Sequence, residues 1–254
     1  MKIGADPELF LADRSGKYIS SVGLIGGTKE EPKPLPMAGC AVQEDNVAVE
    51  FNIPPCDSVD SFIAAIQYNL DYLTKEVATR GLSLVITPSA SFPPDQLQSR
   101  QAKVFGCDPD YNAWTGGINP KPFARNKNLR SAGGHIHVGF DGEDLEPFSV
   151  VRAMDVFLAI PSLELDPDTE RRLLYGKAGA CRPKPYGVEY RTLSNFWIAT
   201  PELRNWAYTQ TLTAVNFVRN GGSFSDEQGE AIQYCVNSGN KELAKAIKAE
   251  YGIA

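Results

Sequence analysis

The stretch Ile3-Gly4-Ala5-Asp6-Pro7-Glu8-Leu9-Phe10-Leu11 decides the fold by its alternation. Side chains two residues apart on a strand point to the same face. Gly4, Asp6, Glu8 and Phe10 therefore stand on one side, and Ile3, Ala5, Leu9 and Leu11 on the other. The second face is aliphatic and suits a core. The first carries two carboxylates where a solvated strand would carry Thr, Lys, Ser or Gln. The same pattern returns three times. Within 46–53, Glu50 and Asn52 share a face opposite Val47, Val49, Phe51 and Ile53. Within Gly133-Gly134-His135-Ile136-His137-Val138-Gly139-Phe140, the two histidines share a face opposite Ile136, Val138 and Phe140, and they are the only two in the chain. Within 187–193, Glu189 and Arg191 share a face opposite Val188, Tyr190 and Thr192.

An antiparallel sheet with one wet side accounts for any one of these strands. Four together, all drawing on Asp, Glu, His and Arg, point instead to a shielded face. There the carboxylates repel one another and lose hydration. Divalent cations relieve both costs, and carboxylate oxygens with a neutral imidazole are suitable ligands for them. The pattern predicts a metal site on a curved sheet.

The rest of the chain frames that prediction. Its 254 residues, 43% hydrophobic and 22% charged, suffice for one large domain with a sizeable core. A net charge of −6 does not suit a nucleic-acid binder. No apolar run is long enough to cross a bilayer, and MKIGADPELF lacks the apolar segment of a signal peptide. Five scattered cysteines without a CxxC spacing fit packing roles in a reducing compartment. A cytoplasmic protein is the expectation.

Strands are predicted at 1–12, 17–23, 46–53, 82–87, 134–140 and 187–193. Helices are predicted at 58–80 with Ser58 as N-cap, at 147–160, and at 201–219 with Thr200 as N-cap and Pro201 in the first turn. Two short helices follow from Ser225, broken at Asn237-Ser238-Gly239-Asn240. Residues 88–132, rich in Pro, Gly and Asn, offer no long period, which marks them as functional or as hiding short elements.

The ordered set of four motifs resembles the glutamine synthetase and glutamate–cysteine ligase superfamily. Gly4-Ala5-Asp6-Pro7-Glu8-Leu9-Phe10-Leu11 is similar to its first acidic strand and Val49-Glu50-Phe51-Asn52 to its second. Gly133-Gly134-His135-Ile136-His137-Val138 resembles its Gly-x-His-x-His segment and Glu189-Tyr190-Arg191 its Glu-x-Arg strand. Together with GGTKEEPKPLP, VQEDNVAVEFNIPP and YGKAGACRPKPYGVEYRTLSNFWI, they resemble the phage-associated carboxylate–amine ligases, amidoligase type 2, of that superfamily. The resemblance covers most of residues 1–200.

It implies an α+β fold, with a curved, mostly antiparallel sheet of glutamine-synthetase-like type and helices on its convex side. It further implies a single catalytic domain over 1–254, with the helices from about 225 packed on or appended to it. The implied enzyme uses ATP and two or three Mg²⁺ or Mn²⁺ ions to join a small-molecule or peptide carboxylate to an amine through an acyl phosphate. A phage-encoded protein acting in the host cytoplasm is one setting. No nucleic acid or membrane is implied as partner, and the oligomeric state stays open.

By position, Glu8 and Glu50 would ligate one metal, and Asp6, His135 and Glu189 another. Arg191 would hold the transferring phosphoryl group, and Glu50 and Glu189 would act with it at the reacting centre. His137 is a second metal contact, a phosphate contact or an orienting group. Lys29, in Gly26-Gly27-Thr28-Lys29, is a candidate for phosphate. Arg182, Lys177, Asn52 and Asp45 are candidates for substrate, with Arg171-Arg172 either beside them or on a solvated helix face. The superfamily places one more glutamate ahead of its second acidic strand, and here Glu44 and Asp45 are the nearest acids. The long N-terminal domain that builds subunit-shared sites in glutamine synthetases is missing from the sequence, so a shared site is not implied. A metal-dependent hydrolase or phosphatase using the same acids, or a non-catalytic protein keeping the ligase fold, are the alternatives.

Overall fold

The computed structural model describes residues 1–103, 110–120, 126–166 and 168–253. Cys107 lies outside them. The strands in chain order are β1 Lys2–Ala12, β2 Tyr18–Ile19, β3 Lys33–Pro34, β4 Ala41–Asp45, β5 Ala48–Asn52, β6 Ser83–Val85, β7 Ser89–Ser91, β8 Tyr111–Asn112, β9 Leu129–Ser131, β10 Gly134–Gly139, β11 Ala180–Lys184 and β12 Gly187–Tyr190. The α-helices are α1 Val59–Ala78, α2 Arg100–Lys103, α3 Pro147–Met154, α4 Ile160–Leu165, α5 Glu170–Leu174, α6 Pro201–Arg219, α7 Asp226–Ser238 and α8 Lys241–Glu250. Ten strands form one open antiparallel sheet in the order β3-β4-β5-β1-β10-β12-β11-β8, with β2 and β6 also paired to β1. β7 and β9 form a separate ribbon. The fold is α+β, as expected.

β1 is the central strand, and its aliphatic face builds the main core. Ile3, Leu9 and Leu11 are fully buried with Val49, Phe51, Ile136, Val138 and Val188 from the neighbouring strands. Phe62, Ile66, Leu73 and Val77 of α1 close over the same core, as their three- and four-residue spacing predicts. Ser58 accepts from Ser61 N at the start of α1, and Thr200 from Leu203 N at the start of α6. Ile232, Cys235 and Val236 of α7, and Ala244 and Ile247 of α8, are buried in that core too, so the C-terminal helices pack on the sheet domain. None of the described helices is long and apolar enough to cross a membrane.

Three expectations change. The predicted helix 147–160 runs on to Leu165 through a wide π turn at Asp155–Ala159. That turn lies directly before Pro161, whose missing N–H and ring exclude an ordinary α-helical register. The strand predicted at 17–23 shrinks to Tyr18–Ile19, because Ser21 turns to donate its N–H to Val47 and accept from Leu24. The strand predicted at 187–193 ends at Tyr190, where the Arg171 guanidinium binds the carbonyls of Arg191 and Thr192. The described residues of 88–132 hold short elements: β7, a 3₁₀ turn at Pro94–Leu97, α2, β8 and β9.

Candidate active site

Residues directly opposite in an antiparallel pair share a face. Register therefore gathers the polar side chains. Glu8 lies opposite Glu50, and Glu50 opposite Gln43. Asp6 lies opposite His135, and Gly4 opposite His137. His137 lies opposite Glu189, and Glu189 opposite Arg182. Apart from Glu44, the charged residues of β4, β5, β1, β10, β12 and β11 thus stand on one side of one sheet, away from the aliphatic core.

They form two clusters. In the first, Asp6, His137 and Glu189 each offer a ligand atom within 4.8 Å of the others. Nε2 of His137 lies 3.0 Å from Oδ1 of Asp6, in an alignment that makes no hydrogen bond for either atom. Nδ1 of His135 is 3.4 Å from the same Oδ1 and 3.8 Å from Oε1 of Glu189. Nη1 of Arg191 approaches Nδ1 of His135 at 3.3 Å. A guanidinium only donates, so that imidazole nitrogen accepts. Arg191 also pairs with Glu189 and lies 3.7 Å from Asp110. Lys184 stands 2.8 Å and Arg182 3.6 Å from the Glu189 carboxylate.

In the second cluster, Glu8, Asp45 and Glu50 offer oxygens within 4.8 Å of one another. Neutral donors hold it: Gly133 N to Glu8 at 2.7 Å, and the Gln43 amide to Glu50 at 2.9 Å. Asn52 in turn donates to Gln43 at 3.3 Å. A side chain at Gly133 would collide with the His135 ring, which rests over it.

Protonation separates the clusters. Burial would lift the Asp6 carboxyl, but His137 and His135 beside it hold it well below the usual range. Burial likewise opposes ionisation of Glu189, yet Arg191 and His135 hold it at about 2. Burial would depress His137, but Asp6 raises it. By contrast, burial pushes Glu50 well above the ordinary carboxylate range, and Asp6, Glu8 and Asp45 add to the rise. Burial raises Glu8 as well, against the pull of His135.

Residues 115–235 match the family model described as phage phiEco32-like COOH.NH2 ligase, type 2. That is the family the sequence resembles. The matched segment carries His135, His137, Arg182, Glu189 and Arg191, while Asp6, Glu8 and Glu50 lie outside it. It supports an enzyme of the amide-forming ligase type. A solved structure described as apo GmaS without ligand superposes with a TM-score of 0.46 at 13% identity, over 99% of this chain and 69% of that one. A search of curated proteins returns no match.

Against the amidoligase ligand set, the structure brings together Asp6, Glu8, Glu50, His135, Glu189 and Arg191, and groups His137 with Asp6 and Glu189. Of the two acids considered for the third carboxylate, Asp45 joins Glu8 and Glu50. Glu44 faces the other way and accepts from the N–H groups of Gly23, Ile25 and Gly26, latching that loop. Arg182 approaches the Glu189 carboxylate at 3.6 Å. Lys29 is exposed on the turn closed by Thr28 N–H to Glu31 O. Lys177 lends its backbone carbonyl to Thr192, and partial burial lowers its amine. Arg171 is buried behind Arg191, holding its carbonyl, and is not a solvated residue.

The sequence reading missed Gln43, Lys184 and Tyr186. Gln43 stands two residues before Asp45, and Lys184 two after Arg182, so the strand alternation that found the acids also marks them. Tyr186 sits in a turn and had no such signal. With Lys2, Gly4, Asn52, His137 and Gly139 it lines a cavity of about 580 Å³ that opens beside the first cluster.

Proposed function

We propose that the chain is an ATP-dependent carboxylate–amine ligase that works through an acyl phosphate at a site holding at least two divalent cations. One observation carries this reading. Buried carboxylates from three strands converge beside a corner where Arg182, Lys184 and Arg191 meet. The residues fit cations: Asp6 and His137 confront each other at 3.0 Å without a hydrogen bond, and Glu50 is driven toward protonation by burial and by its acidic neighbours. Asp6, His137 and Glu189, with His135 beside them, would hold one cation, and Glu8, Asp45 and Glu50 another. Bound there, the ions supply neutralisation of the phosphate charge and orientation of its oxygens.

A substrate carboxylate oxygen attacks the γ-phosphorus of ATP, the bond to ADP breaks, and an acyl phosphate forms. The amine then attacks the acyl carbon, phosphate leaves and a proton is released. Such transfers depend mostly on positioning and charge. Arg191, held by Glu189 and Asp110, presents a planar cation to the oxygens of the moving phosphoryl group. Arg182 and Lys184 extend the positive corner toward a substrate carboxylate. Asn52 and Gln43 fix Glu50 in orientation.

The test is ADP release from Mg²⁺-ATP across a matrix of carboxylic acids and amines. The reading predicts release that needs one acid and one amine together. Turnover of a phosphoester or amide without nucleotide would instead establish a metal-dependent hydrolase.

A further inference from the structure

Tyr186 occupies the two-residue turn between β11 and β12, and its hydroxyl lies 2.6 Å from Nδ1 of His137. We propose that Tyr186 is a positioning residue, fixing His137 as the Nδ1–H tautomer so that Nε2 turns a lone pair toward Asp6 and Glu189. This rests on the metal-site reading above and names a group that reading did not use.

The geometry favours one tautomer. A neutral imidazole has one donor and one acceptor nitrogen. Nε2 is 3.0 Å from Asp6 Oδ1 yet is not aligned to donate to it. A proton on Nδ1 would instead lie toward the phenol oxygen 2.6 Å away, which can accept it. That leaves the Nε2 lone pair facing a carboxylate oxygen, an arrangement that favours a cation between them. Ligating histidines regularly donate their other ring N–H to an acceptor that sets the ring, and loss of that acceptor weakens metal binding about 10-fold or more.

The turn is built to hold the hydroxyl still. The Tyr186 carbonyl accepts from Phe140 N at 2.9 Å, tying the turn to the end of β10. Gly187 follows at φ 148°, where any side chain would collide with the Val138 carbonyl, so the turn lies tight against β10. The Tyr186 and His137 rings sit 6.1 Å apart at 35°. Gly4 lies opposite His137 in β1, with no side chain to crowd the imidazole. Tyr186 also walls the cavity beside the cluster, so a ligand entering there meets the residue that sets the histidine.

Because the chain has two histidines, their ring nitrogens can be read directly by long-range ¹H–¹⁵N correlation on the whole metal-free protein, at a pH where both rings are neutral. A His135→Gln variant assigns the signals. The expected result is the Nδ1–H form for His137 in the native chain, and a shift toward Nε2–H or a mixture in Tyr186→Phe. Mn²⁺ alone, titrated by calorimetry, is expected to bind about 10-fold more weakly to Tyr186→Phe, whose melting temperature stays within about 2 °C of the native value. An Nε2–H form in the native protein overturns the proposal with no variant needed. So does a Tyr186→Phe protein with unchanged tautomer and unchanged Mn²⁺ affinity. Failure of the native chain to bind Mn²⁺ at millimolar concentration would defeat the metal-site reading, while the tautomer measurement still decides the role of Tyr186.

Discussion

The two acid clusters on this sheet share a face, a register and a distance scale, yet their electrostatics are opposite. Asp6 and Glu189 sit among His135, His137, Arg182, Lys184 and Arg191, and both are held ionised. Glu8, Asp45 and Glu50 are held by Gln43 and a backbone N–H, and Glu8 and Glu50 are pushed toward protonation. The first cluster brings cations with it. The second draws most of its neutralisation from outside. A buried acid with a cationic partner is costly to separate from it, whereas one among other acids costs stability until a cation arrives. The same residue type therefore plays opposite thermodynamic parts a few strands apart.

The largest expected effect lies in the cation-rich corner. Arg191→Ala is expected to lower kcat about 1,000-fold, as loss of an arginine that stabilises a moving phosphoryl group does, with nucleotide affinity changed only a few-fold. Glu189→Ala is expected to weaken nucleotide binding as well as turnover. Parallel losses of nucleotide affinity in both variants, measured by calorimetry, would break the division of roles.

The comparison is sharpest in stability. Without metal at neutral pH, Glu50→Gln is expected to raise the melting temperature by several degrees and to abolish the stabilisation by Mg²⁺. Glu189→Gln is expected to lower it, because three cations lose their partner. At about 2–4 °C per kcal/mol for a chain of this size, both shifts are readable by calorimetric scanning. Shifts of the same sign would contradict the contrast.

Acid pH offers a third probe. Glu50 and Glu8 have folded pKa values above their unfolded ones, so the folded state keeps their protons longer. Their contribution is favourable at low pH and is lost as pH rises from near 4.5 through the folded values. Asp6 and Glu189 behave oppositely: their stabilisation is present above the unfolded values and is lost as pH falls toward 2. Asp155 adds to the first trend. It is buried behind β12, accepting from Trp114, Gly179 and Tyr190, and burial lifts it from 3.8 to about 6. Ionising it costs about 3 kcal/mol between those values. Metal-free protein is expected to lose stability from pH 4 to 7, with Mg²⁺ reversing the loss at the upper end. A flat melting profile over that range would contradict the assignment.

The smallest expected effect belongs to Gln43→Ala, which removes a neutral donor from Glu50. About a 10-fold loss of Mn²⁺ affinity with little change in fold is expected, as for other groups that orient a ligand.

Alternation on β1, β5, β10 and β12 made the site legible, because strands that set Asp, Glu, His and Arg opposite an aliphatic face, four times over, are poorly suited to a merely solvated surface. β4 escaped notice, since Ala41–Asp45 is short and follows a segment with no period. With it went Gln43 and the choice between Glu44 and Asp45. β11 was hidden by Pro183, which argues against a strand interior. The structure tolerates it because β8 pairs only with Ala180 and Cys181, leaving Pro183 on an edge. Tyr186 and Arg171 act from a turn and a short helix, and only tertiary packing brings them to the strands they brace.

Thermal unfolding of the intact chain at pH 7.5, with and without Mg²⁺ and a non-hydrolysable ATP analogue, tests the central claim most directly. Ligand at about 100 times its dissociation constant stabilises by about 2.7 kcal/mol. The account predicts a rise of several degrees with millimolar Mg²⁺ alone and a further rise with the analogue. A transition that neither addition moves by even a degree would contradict it.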